Sequence, residues 1–354
     1  MSLDALKLTT YFGERDRAGD RFLADALVDV YARHAVQASA VFRGVEGFGV
    51  KHHLQTARLL TLSEDLPMVS VAVDARRRIE ALLPEVQRVS GDGLVTLERA
   101  RLVTGRPPAP GERDGAAKLT VFVGRHERVG GRPAPEAVVA LLHRHGVAGA
   151  TALLGVDGTA HGVRRRARFA GRNAGVPVMV LSVGDAERIA AVLPELLAVL
   201  ARPLATLERV TVCKRDGRRL AGPPALAETD AAGLGLWQKL MVFAGEQARD
   251  GGAPLYSELV RRLREAGASG ATSLRGFWGY HGDHEPHGDR FWALRRRVPV
   301  VTVLVDRPER MRRWWPIVDE LTAGTGLVTS EVVPAVRASG PGIGRGGLRL
   351  ALDG

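Results

Sequence analysis

The chain has 354 residues, of which 45% are apolar and 25% are charged, the balance of a folded globular protein. Its length suits two or three ordinary domains. The longest apolar run, residues 176–183, contains Pro177 and Ser182 and is too short to span a bilayer, and the N-terminus lacks a basic-then-apolar signal pattern. The single cysteine, Cys213, excludes an intramolecular disulfide. We therefore expect a cytoplasmic protein without membrane insertion.

The formal net charge is +11, and nearly all of the positive charge comes from arginine. A basic protein attracts phosphates and other anions, although a codon bias that favours arginine explains the same excess. Arginines cluster at 164–168 and 295–297, but the aromatic residues do not alternate with them. Because a stacking surface for bases needs such aromatic residues, the sequence disfavours a nucleic-acid partner.

A glycine-rich stretch at 42–49 follows an apolar segment and returns at 154–158 and 275–279. The first glycine of each copy, Gly44, Gly155 or Gly276, lies 37 residues after a lysine: Lys7, Lys118 or Lys239. This spacing predicts three repeats of about 95 residues. The predicted layout is repeats over 6–103, 118–212 and 238–334, linkers over 104–117 and 213–237, and a flexible, largely disordered Gly/Arg-rich tail over 335–354.

The first repeat alternates short apolar strands with amphipathic helices. Apolar residues at helical spacing follow Asp20, a candidate N-cap, and a second such segment contains Pro84, which is expected to kink or split its helix. The other two repeats have the same order. The predicted elements are strand 7–12, helix 21–34, strand 38–42, a long loop from 44 to about 58, strand 68–73, helix 75–88 and strand 94–100.

This order of strand, helix, strand, strand, helix, strand is the ferredoxin-like arrangement. It predicts an α+β fold in which a four-stranded antiparallel sheet carries both helices on one face. Leu8, Thr10 and Phe12 on one side of the first strand, and Thr9 and Tyr11 on the other, leave neither side strongly polar. We therefore expect the second face of each sheet to pack against another repeat.

The glycine-rich stretch is a candidate anion site. Gly44, Gly47 and Gly49 stand where a strand passes into a loop, and glycines there let successive N–H groups converge on an anion. Lys51 in the following loop adds positive charge. The alternative is a bulge that only requires glycine. The stretch does not open a helix, so it is neither a dinucleotide fingerprint nor a Walker loop.

A second candidate site lies in the third repeat. His281, Asp283, His284 and His287 fall within nine residues, and imidazole and carboxylate ligands suit Zn²⁺, Ni²⁺ or Cu²⁺. The alternative interpretation is a solvated polar loop.

Four motifs of the first repeat together resemble the PII-like signalling family filed as domain of unknown function, family 190. They are the R-G-x-E-G-F-G stretch at 43–49, T-A-R-L-L at 56–60, S-E-D-L-P at 63–67 and G-D-G-L-V-T-L-E at 91–98; the third repeat adds P-L-Y at 254–256 and G-x-x-G-A-T at 267–272. The likeness extends over about 95 residues in each repeat. Because PII proteins are trimers of ferredoxin-like subunits, the resemblance implies three PII-like modules that form an intramolecular pseudo-trimer.

PII proteins bind adenine nucleotides in clefts between subunits, beneath a flexible loop that engages target proteins. The resemblance therefore implies that the loop-base residues of one repeat, together with a turn supplied by a neighbouring repeat, bind ATP, ADP or AMP below an effector loop at 50–56. Departures from the pattern at 158–160, 202–203, 280–281 and 324–326 predict that only one or two of the clefts bind. The implied ligand-binding residues are Gly44, Gly47, Phe48, Gly49 and Lys51, the turn Gly91, Asp92 and Gly93, and the third-repeat counterparts Gly276 and Gly279.

The sequence lacks a nucleophile elbow and paired catalytic carboxylates, so we expect no enzyme activity. The favoured function is a regulator that binds a small anionic ligand and signals to an unidentified target protein; the family resemblance suggests a membrane transporter or channel. A divalent-metal sensor, as in the trimeric divalent-cation-tolerance relatives of PII, and a ligand-free scaffold remain alternatives.

Overall fold

A computed structural model describes residues 2–49, 55–56, 65–103, 115–165, 176–281, 285–288, 298–340 and 343–351. Lys51, Asp283 and His284, as well as most of the predicted linker 104–117, lie outside these residues. None of the helices in the described ranges is both long and apolar enough to cross a membrane.

The first repeat comprises β1 (Ser2–Gly13), β2 (Arg17–Ala18), β3 (Arg21–Phe22), α1 (Leu23–Arg33), β4 (Ala38–Arg43), β5 (Glu46–Phe48), β6 (Gln55–Thr56), β7 (Pro67–Ala75), α2 (Arg76–Ser90) and β8 (Gly93–Val103). The second comprises β9 (Ala116–Gly124), β10 (Arg128–Val129), β11 (Arg132–Pro133), α3 (Ala134–Arg144), β12 (Gly149–Leu154), β13 (Asp157–Ala160), β14 (Val163–Arg164), β15 (Pro177–Asp185), α4 (Ala186–Val199) and β16 (Ala205–Arg215). After β17 (Arg218–Arg219), the third comprises β18 (Trp237–Gly245), β19 (Arg249–Asp250), β20 (Ala253–Pro254), α5 (Leu255–Glu265), β21 (Ala271–Arg275), β22 (Trp278–His281), β23 (His287–Gly288), β24 (Pro299–Asp306), α6 (Pro308–Leu321) and β25 (Leu327–Val333); β26 (Ala335–Gly340) and β27 (Ile343–Gly347) follow.

Each repeat builds its part of one large antiparallel sheet in the same order. In the first repeat, β1 lies between β7 and β8, and β4 pairs with the outer side of β7. The second repeat gives β12, β15, β9 and β16, and the third gives β21, β24, β18 and β25. The chain is therefore a mixed α/β protein with three topologically equivalent repeats.

The second helix of each repeat continues through a proline. Helix α2 runs over 76–90 without a break at Pro84, so the expected split does not occur. Pro84 has no backbone N–H, so the carbonyl of Glu80 loses its helical hydrogen-bond partner. Both residues lie on the exposed side of the helix, while Ile79 and Leu82 are buried against the sheet. The packed face holds the helix together, and water can reach the unmatched carbonyl. Helices α4 and α6 continue through Pro194 and Pro316 in the same way.

The second faces of the three sheets pack on one another, as the sequence predicts. One buried cluster draws residues from all three repeats, and the helices cover the opposite faces in three separate clusters. Members of the shared core are Phe42, Val69 and Val71 from the first repeat, Leu153, Met179 and Leu181 from the second, and Met241, Phe243 and Val301 from the third.

Strand pairing joins the repeats in a closed cycle. Strand β5 pairs with β21, β13 with β4, and β22 with β12, so each repeat pairs with both others. Glycine is required at these junctions because the backbones approach closely: a Cβ added at Gly47 would lie 2.7 Å from the Ala271 carbonyl oxygen. At the equivalent Gly158 and Gly279 it would lie closer still to a neighbouring carbonyl. The repeated glycines thus serve the contact between repeats.

The prediction of a flexible tail is wrong for residues 335–340 and 343–351. Strand β26 pairs with the free edge of β8, from Ala335 opposite Leu97 to Ser339 opposite Gly93, and β27 pairs back on β26. The unpaired edge of β8 offers a hydrogen-bond ladder that propensity alone does not reveal. The predicted linker 213–237 also begins later than expected, because β16 continues to 215.

Candidate functional site

A cavity of about 430 Å³ lies between the first and third repeats. It opens where β5 joins β21, at the ends of β1 and β8. Its apolar lining suits a flat or aliphatic group and includes Tyr11, Leu94, Trp237, Val303 and Val305. Its polar lining comprises Gly49, Asp92 and Gly93 of the first repeat, residues 269–272 and Arg310 of the third, and Ser339 and Arg345 of the C-terminal hairpin.

Arg310 is the most firmly held cation of the cleft. Its guanidinium donates to the Ser269 Oγ at 3.2 Å and to the Gly267 carbonyl at 2.7 Å, and it lies 5.6 Å from the ring centre of Trp314. Its Nε also lies 3.7 Å from a carboxylate oxygen of the buried Asp306. These contacts fix a partly exposed guanidinium, whose charge Asp306 partly compensates, on the wall contributed by the third repeat. Arg345 adds a second, exposed guanidinium at the mouth.

Three carboxylates line the same cleft. The backbone N–H of Gly13 donates to Asp16 at 2.8 Å, and that of Arg15 donates to Asp65 at 2.8 Å, so both carboxylates are held in place. Asp92 in the turn before β8 is exposed. The described lining therefore carries both signs of charge, which suits a ligand with an anionic group and an accompanying cation better than a bare polyanion.

The structure brings together four of the predicted ligand residues: Phe48, Gly49, Asp92 and Gly93 line this cleft. Gly91 is exposed beside them in the same turn. The turn was expected to come from a neighbouring repeat, but it belongs to the same repeat as the loop base. Strand β1, whose end lies in the cleft, pairs with β8 and so places the turn beside the glycine stretch. The neighbouring repeat contributes residues 269–272 instead.

The other predicted glycines lie outside the cavity lining. The N–H of Gly44 donates to the Pro67 carbonyl at 2.7 Å, and a Cβ there would lie 2.7 Å from the Pro67 ring. Gly47 lies against β21. Gly276 and Gly279 occupy the corresponding positions between the third and second repeats, and the N–H of Gly276 donates to the Pro299 carbonyl at 2.8 Å. Close packing explains these four positions.

The corresponding cleft between the second and third repeats is nearly closed, with a cavity of about 10 Å³. Tyr280 is buried and donates its hydroxyl to the Val147 carbonyl at 2.8 Å, and burial raises the pKa of Tyr280 well above its usual range. His281 stands where the open cleft has Gly49, and its Nε2 is buried. The imidazole thus occupies space that the first repeat leaves open.

The predicted metal loop is only partly described. His281 ends β22, and its backbone pairs with Gly149; His287 is partly exposed, and its Nδ1 lies 2.7 Å from the Glu285 carbonyl oxygen. Asp283 and His284 lie outside the described residues, so the metal site stays a prediction. Within the described ranges, one group of three metal-type ligands comes together elsewhere, formed by Glu98, Glu208 and Glu331.

These glutamates alternate with three lysines in a closed ring at the centre of the molecule. Lys7 lies 3.1 Å from Glu98, Lys118 lies 2.9 Å from Glu208, and Lys239 lies 2.8 Å from Glu331, each pair within one repeat. Shorter contacts between repeats close the ring, from Lys7 to Glu208, from Lys118 to Glu331 and from Lys239 to Glu98. We call these six side chains the charged ring.

The charged ring is almost completely buried, with side-chain exposures of 1–8%. Burial alone would raise the pKa of Glu98 and Glu208, but the adjacent ammonium groups outweigh it and lower the pKa of Glu208 to about 2 and that of Glu98 further. Burial opposes the charge of Lys7 and Lys239, yet their carboxylate neighbours raise both pKa values. For Lys118 burial prevails and lowers the pKa to about 8, which leaves its ammonium protonated at neutral pH. Ammonium groups already neutralise the three carboxylates, so the cluster is an ion-pair network rather than a metal site.

The sequence contains a signal for the charged ring. Lys7, Lys118 and Lys239 are three of only five lysines, and each interrupts an apolar strand at the same place in its repeat. A lysine in such a strand needs a buried acid, and the last strand of each repeat carries one at an equivalent position.

Comparison with known proteins agrees with the repeats. The model of the DUF190 family, described as "Uncharacterized ACR", matches residues 5–102, 116–212 and 237–335. A UPF0166 protein of Aquifex aeolicus (strain VF5) is 32% identical over 98 residues, which are 27% of this chain and 90% of that protein. The crystal structure of aspartate kinase from Synechocystis aligns with 96% of this chain and 46% of its own, at 14% identity and a TM-score of 0.24, too low to support an argument. The chain therefore belongs to the DUF190 family and carries three copies of its domain in one polypeptide.

Proposed function

We propose that this chain is a non-catalytic regulatory protein in which three ferredoxin-like modules form an intramolecular pseudo-trimer. In each repeat the strand order and the two helices on one sheet face support the ferredoxin-like assignment. The cyclic strand pairing and the charged ring support the pseudo-trimer, since each repeat contacts both others by equivalent residues.

The proposed ligand is an adenine nucleotide bound between the first and third repeats. The observation that carries this proposal is the cavity of about 430 Å³ in which Gly49, Asp92 and Gly93 meet residues 269–272. Its volume lies in the range of small-molecule sites. The apolar wall suits a purine ring, and the guanidiniums of Arg310 and Arg345 suit a phosphate.

The three carboxylates favour a nucleotide that carries a divalent cation. Asp16, Asp65 and Asp92 would repel a bare triphosphate, whereas hard cations such as Mg²⁺ bind both phosphate and carboxylate oxygens. We therefore expect Mg²⁺ to strengthen the binding of ATP or ADP. The protein would bind the complex and do no chemistry on it.

Signalling would pass through residues 50–64, which connect Gly49 and Asp65 at the edge of the cleft. Gly49 and Asp65 both line the cavity, and residues 50–64 connect them. A ligand in the cleft would therefore touch both ends of that segment and change the surface it presents. The proposed partner is a target protein that docks there, with a membrane transporter or channel as the expected class.

The test is calorimetric titration of the full chain with ATP, ADP, AMP and cyclic AMP, with and without Mg²⁺. Gly49→Phe should block the cleft without unfolding the protein, because a Cβ added at Gly49 meets no atom within 4 Å. Ala160→Phe is the matched control, since Ala160 holds the equivalent position in the second repeat.

We expect saturable binding at one site per chain, loss of at least about tenfold in affinity with Gly49→Phe, and retention with Ala160→Phe. Absence of any nucleotide heat from the wild-type chain would exclude a nucleotide regulator. Equal affinity of the wild type and a folded Gly49→Phe variant would place the ligand elsewhere.

A further inference from the structure

A second and larger cavity, of about 760 Å³, lies between the last strands of the three repeats. It forms because β16 changes partners: it pairs with β8 over 205–207 and with β25 from 211 onward. The strands separate between these two points and leave a space that reaches the charged ring at Glu208 and Glu331. This space, which we call the strand-fork cavity, shares no lining residue with the nucleotide cleft.

The strand-fork cavity is positive outside the charged ring. Three arginines line it, Arg99, Arg101 and Arg209, against one further acid, Asp4. Glu208 and Glu331 form part of the wall, but each already lies between two ammonium groups of the charged ring. Guanidiniums that converge on one space favour an anionic occupant, and the net charge of +11 concentrates anions near the protein.

The arginines differ in how firmly they are held. Arg99 is partly buried and donates to the Ala351 carbonyl, which fixes its side chain by a bond to the C-terminal segment. Arg209 is exposed at the edge of the cavity, where it is free to turn toward an incoming anion.

The remaining lining provides neutral polar groups and apolar surface. Gln238 is 1% exposed and donates its amide N–H to the Pro224 carbonyl at 3.1 Å and to the Ser330 Oγ at 2.8 Å. This fixes the amide in the wall of the cavity. Leu226 and Val332 supply apolar contact. Such a lining suits an organic anion better than a bare inorganic ion.

We propose that the strand-fork cavity is a second ligand site, which binds a small oxyanion bearing carboxylate or phosphate groups. Both groups match the forked geometry of guanidinium donors. Occupancy would be felt at the charged ring, because the same cavity wall contains two of its carboxylates. The site is independent of the nucleotide cleft and of the function proposed for it.

The probes are citrate for the carboxylate class and pyrophosphate for the phosphate class, titrated by calorimetry into the full chain at low ionic strength. We expect at least one to bind saturably at one site per chain. Arg209→Gln and, separately, Arg101→Gln should each weaken binding by about tenfold, the loss of one charge-assisted hydrogen-bond partner. Arg218→Gln removes the same charge from an exposed strand outside the cavity and should change affinity by less than about twofold.

The Gly49→Phe variant separates this site from the nucleotide cleft. Pyrophosphate or citrate binding should persist in that variant. Loss of anion binding in Gly49→Phe would place the anion in the nucleotide cleft and overturn the proposal. Equal losses of affinity with Arg209→Gln and Arg218→Gln would indicate general charge attraction and would also overturn it. Failure of both probes to bind the wild-type chain would also overturn it. If Arg101→Gln does not fold, the affinity of Arg209→Gln, a substitution at an exposed residue, still tests the proposal.

Discussion

The centre of this molecule keeps its three repeats alike, whereas the clefts between repeats have diverged. At the centre each repeat contributes one lysine and one glutamate to the charged ring, in the same register. At the periphery, the cleft between the first and third repeats measures about 430 Å³, while that between the second and third measures about 10 Å³. The same strand pairing, β5 with β21 and β22 with β12, forms both clefts.

The difference separates what assembles the protein from what a ligand can use. A buried lysine without its two carboxylates would be an uncompensated charge, so no repeat can lose its member of the charged ring alone. A cleft has no such requirement. Once three repeats share one chain, replacement of Gly49 by a larger residue at the equivalent position closes a cleft and leaves the assembly intact. If the nucleotide proposal is right, the fold depends on all three repeats and ligand binding on the interface between the first and third.

The largest expected effect comes from breaking the charged ring. Lys118→Met leaves Glu208 and Glu331 with one ammonium group each in a buried setting, and removal of one partner from a buried ion pair costs about 3–5 kcal/mol. The free energy of unfolding, from urea denaturation, should fall by that amount.

Lys214→Met is the matched control. Lys214 is equally buried, but its carboxylate partner, Asp319 at 2.9 Å, is 26% exposed and remains solvated when the lysine is removed. A smaller loss is expected there. Equal losses for the two lysines would mean that the closed arrangement of the charged ring adds nothing beyond ordinary ion pairing.

Acid should weaken the charged ring. The pKa of Glu208 falls from its ordinary 4.5 to about 2 in the folded chain, so the unfolded chain binds more protons between these values. This contribution to stability is complete above about pH 4.5 and is lost progressively as the pH falls toward about 2. Unfolding free energies measured from pH 5 to pH 2 should show this slope.

Glu208→Gln should flatten that dependence, and Glu80→Gln, on the exposed face of α2, should leave it unchanged. A dependence as steep in Glu208→Gln as in the wild type would assign the acid sensitivity to other carboxyl groups.

Two neighbouring glycines test the boundary between assembly and ligand binding. Gly47→Ala places a Cβ 2.7 Å from the Ala271 carbonyl oxygen and 3.2 Å from the Pro67 ring, so we expect a loss of about 1–3 kcal/mol from overpacking at the repeat junction. The Cβ added by Gly49→Ala points into open space, so the free energy of unfolding should change by less than about 0.5 kcal/mol. Thermal unfolding of the two variants measures the difference, and similar losses would contradict the assignment of Gly47 to assembly.

The sequence predicted the order of elements and the triplication because both depend on local patterns. The helical spacing of Leu23, Ala26 and Leu27 and the recurrent glycines are visible without the fold. The β26–β27 hairpin was missed because its partner, the edge of β8, lies more than 200 residues away in sequence.

Part of the cleft lining could be predicted because the glycine stretch and the turn are local patterns as well. Phe48, Gly49, Asp92 and Gly93 line one cleft, although the resemblance implies that the turn comes from a neighbouring repeat. Local pattern cannot distinguish a glycine that lines a cavity, such as Gly49, from one that faces a carbonyl, such as Gly47. The sequence does not predict that the arginines of the strand-fork cavity lie together. They meet only because β16 changes its pairing partner from β8 to β25.

The smallest expected effect reopens the closed cleft. His281→Gly removes the imidazole at the position equivalent to Gly49 and should enlarge the cavity between the second and third repeats. Because Tyr280 stays hydrogen-bonded to Val147, the junction itself should persist, at a cost of about 1 kcal/mol for the lost side-chain packing. If the nucleotide proposal is right, the number of nucleotides bound per chain should rise from one toward two, with the new site the weaker. Calorimetry gives that number directly. If a folded His281→Gly variant still binds one nucleotide per chain, the turn at 324–326, and not the imidazole, keeps this cleft from binding. The difference between the two clefts would then originate at the end of α6 rather than in β22.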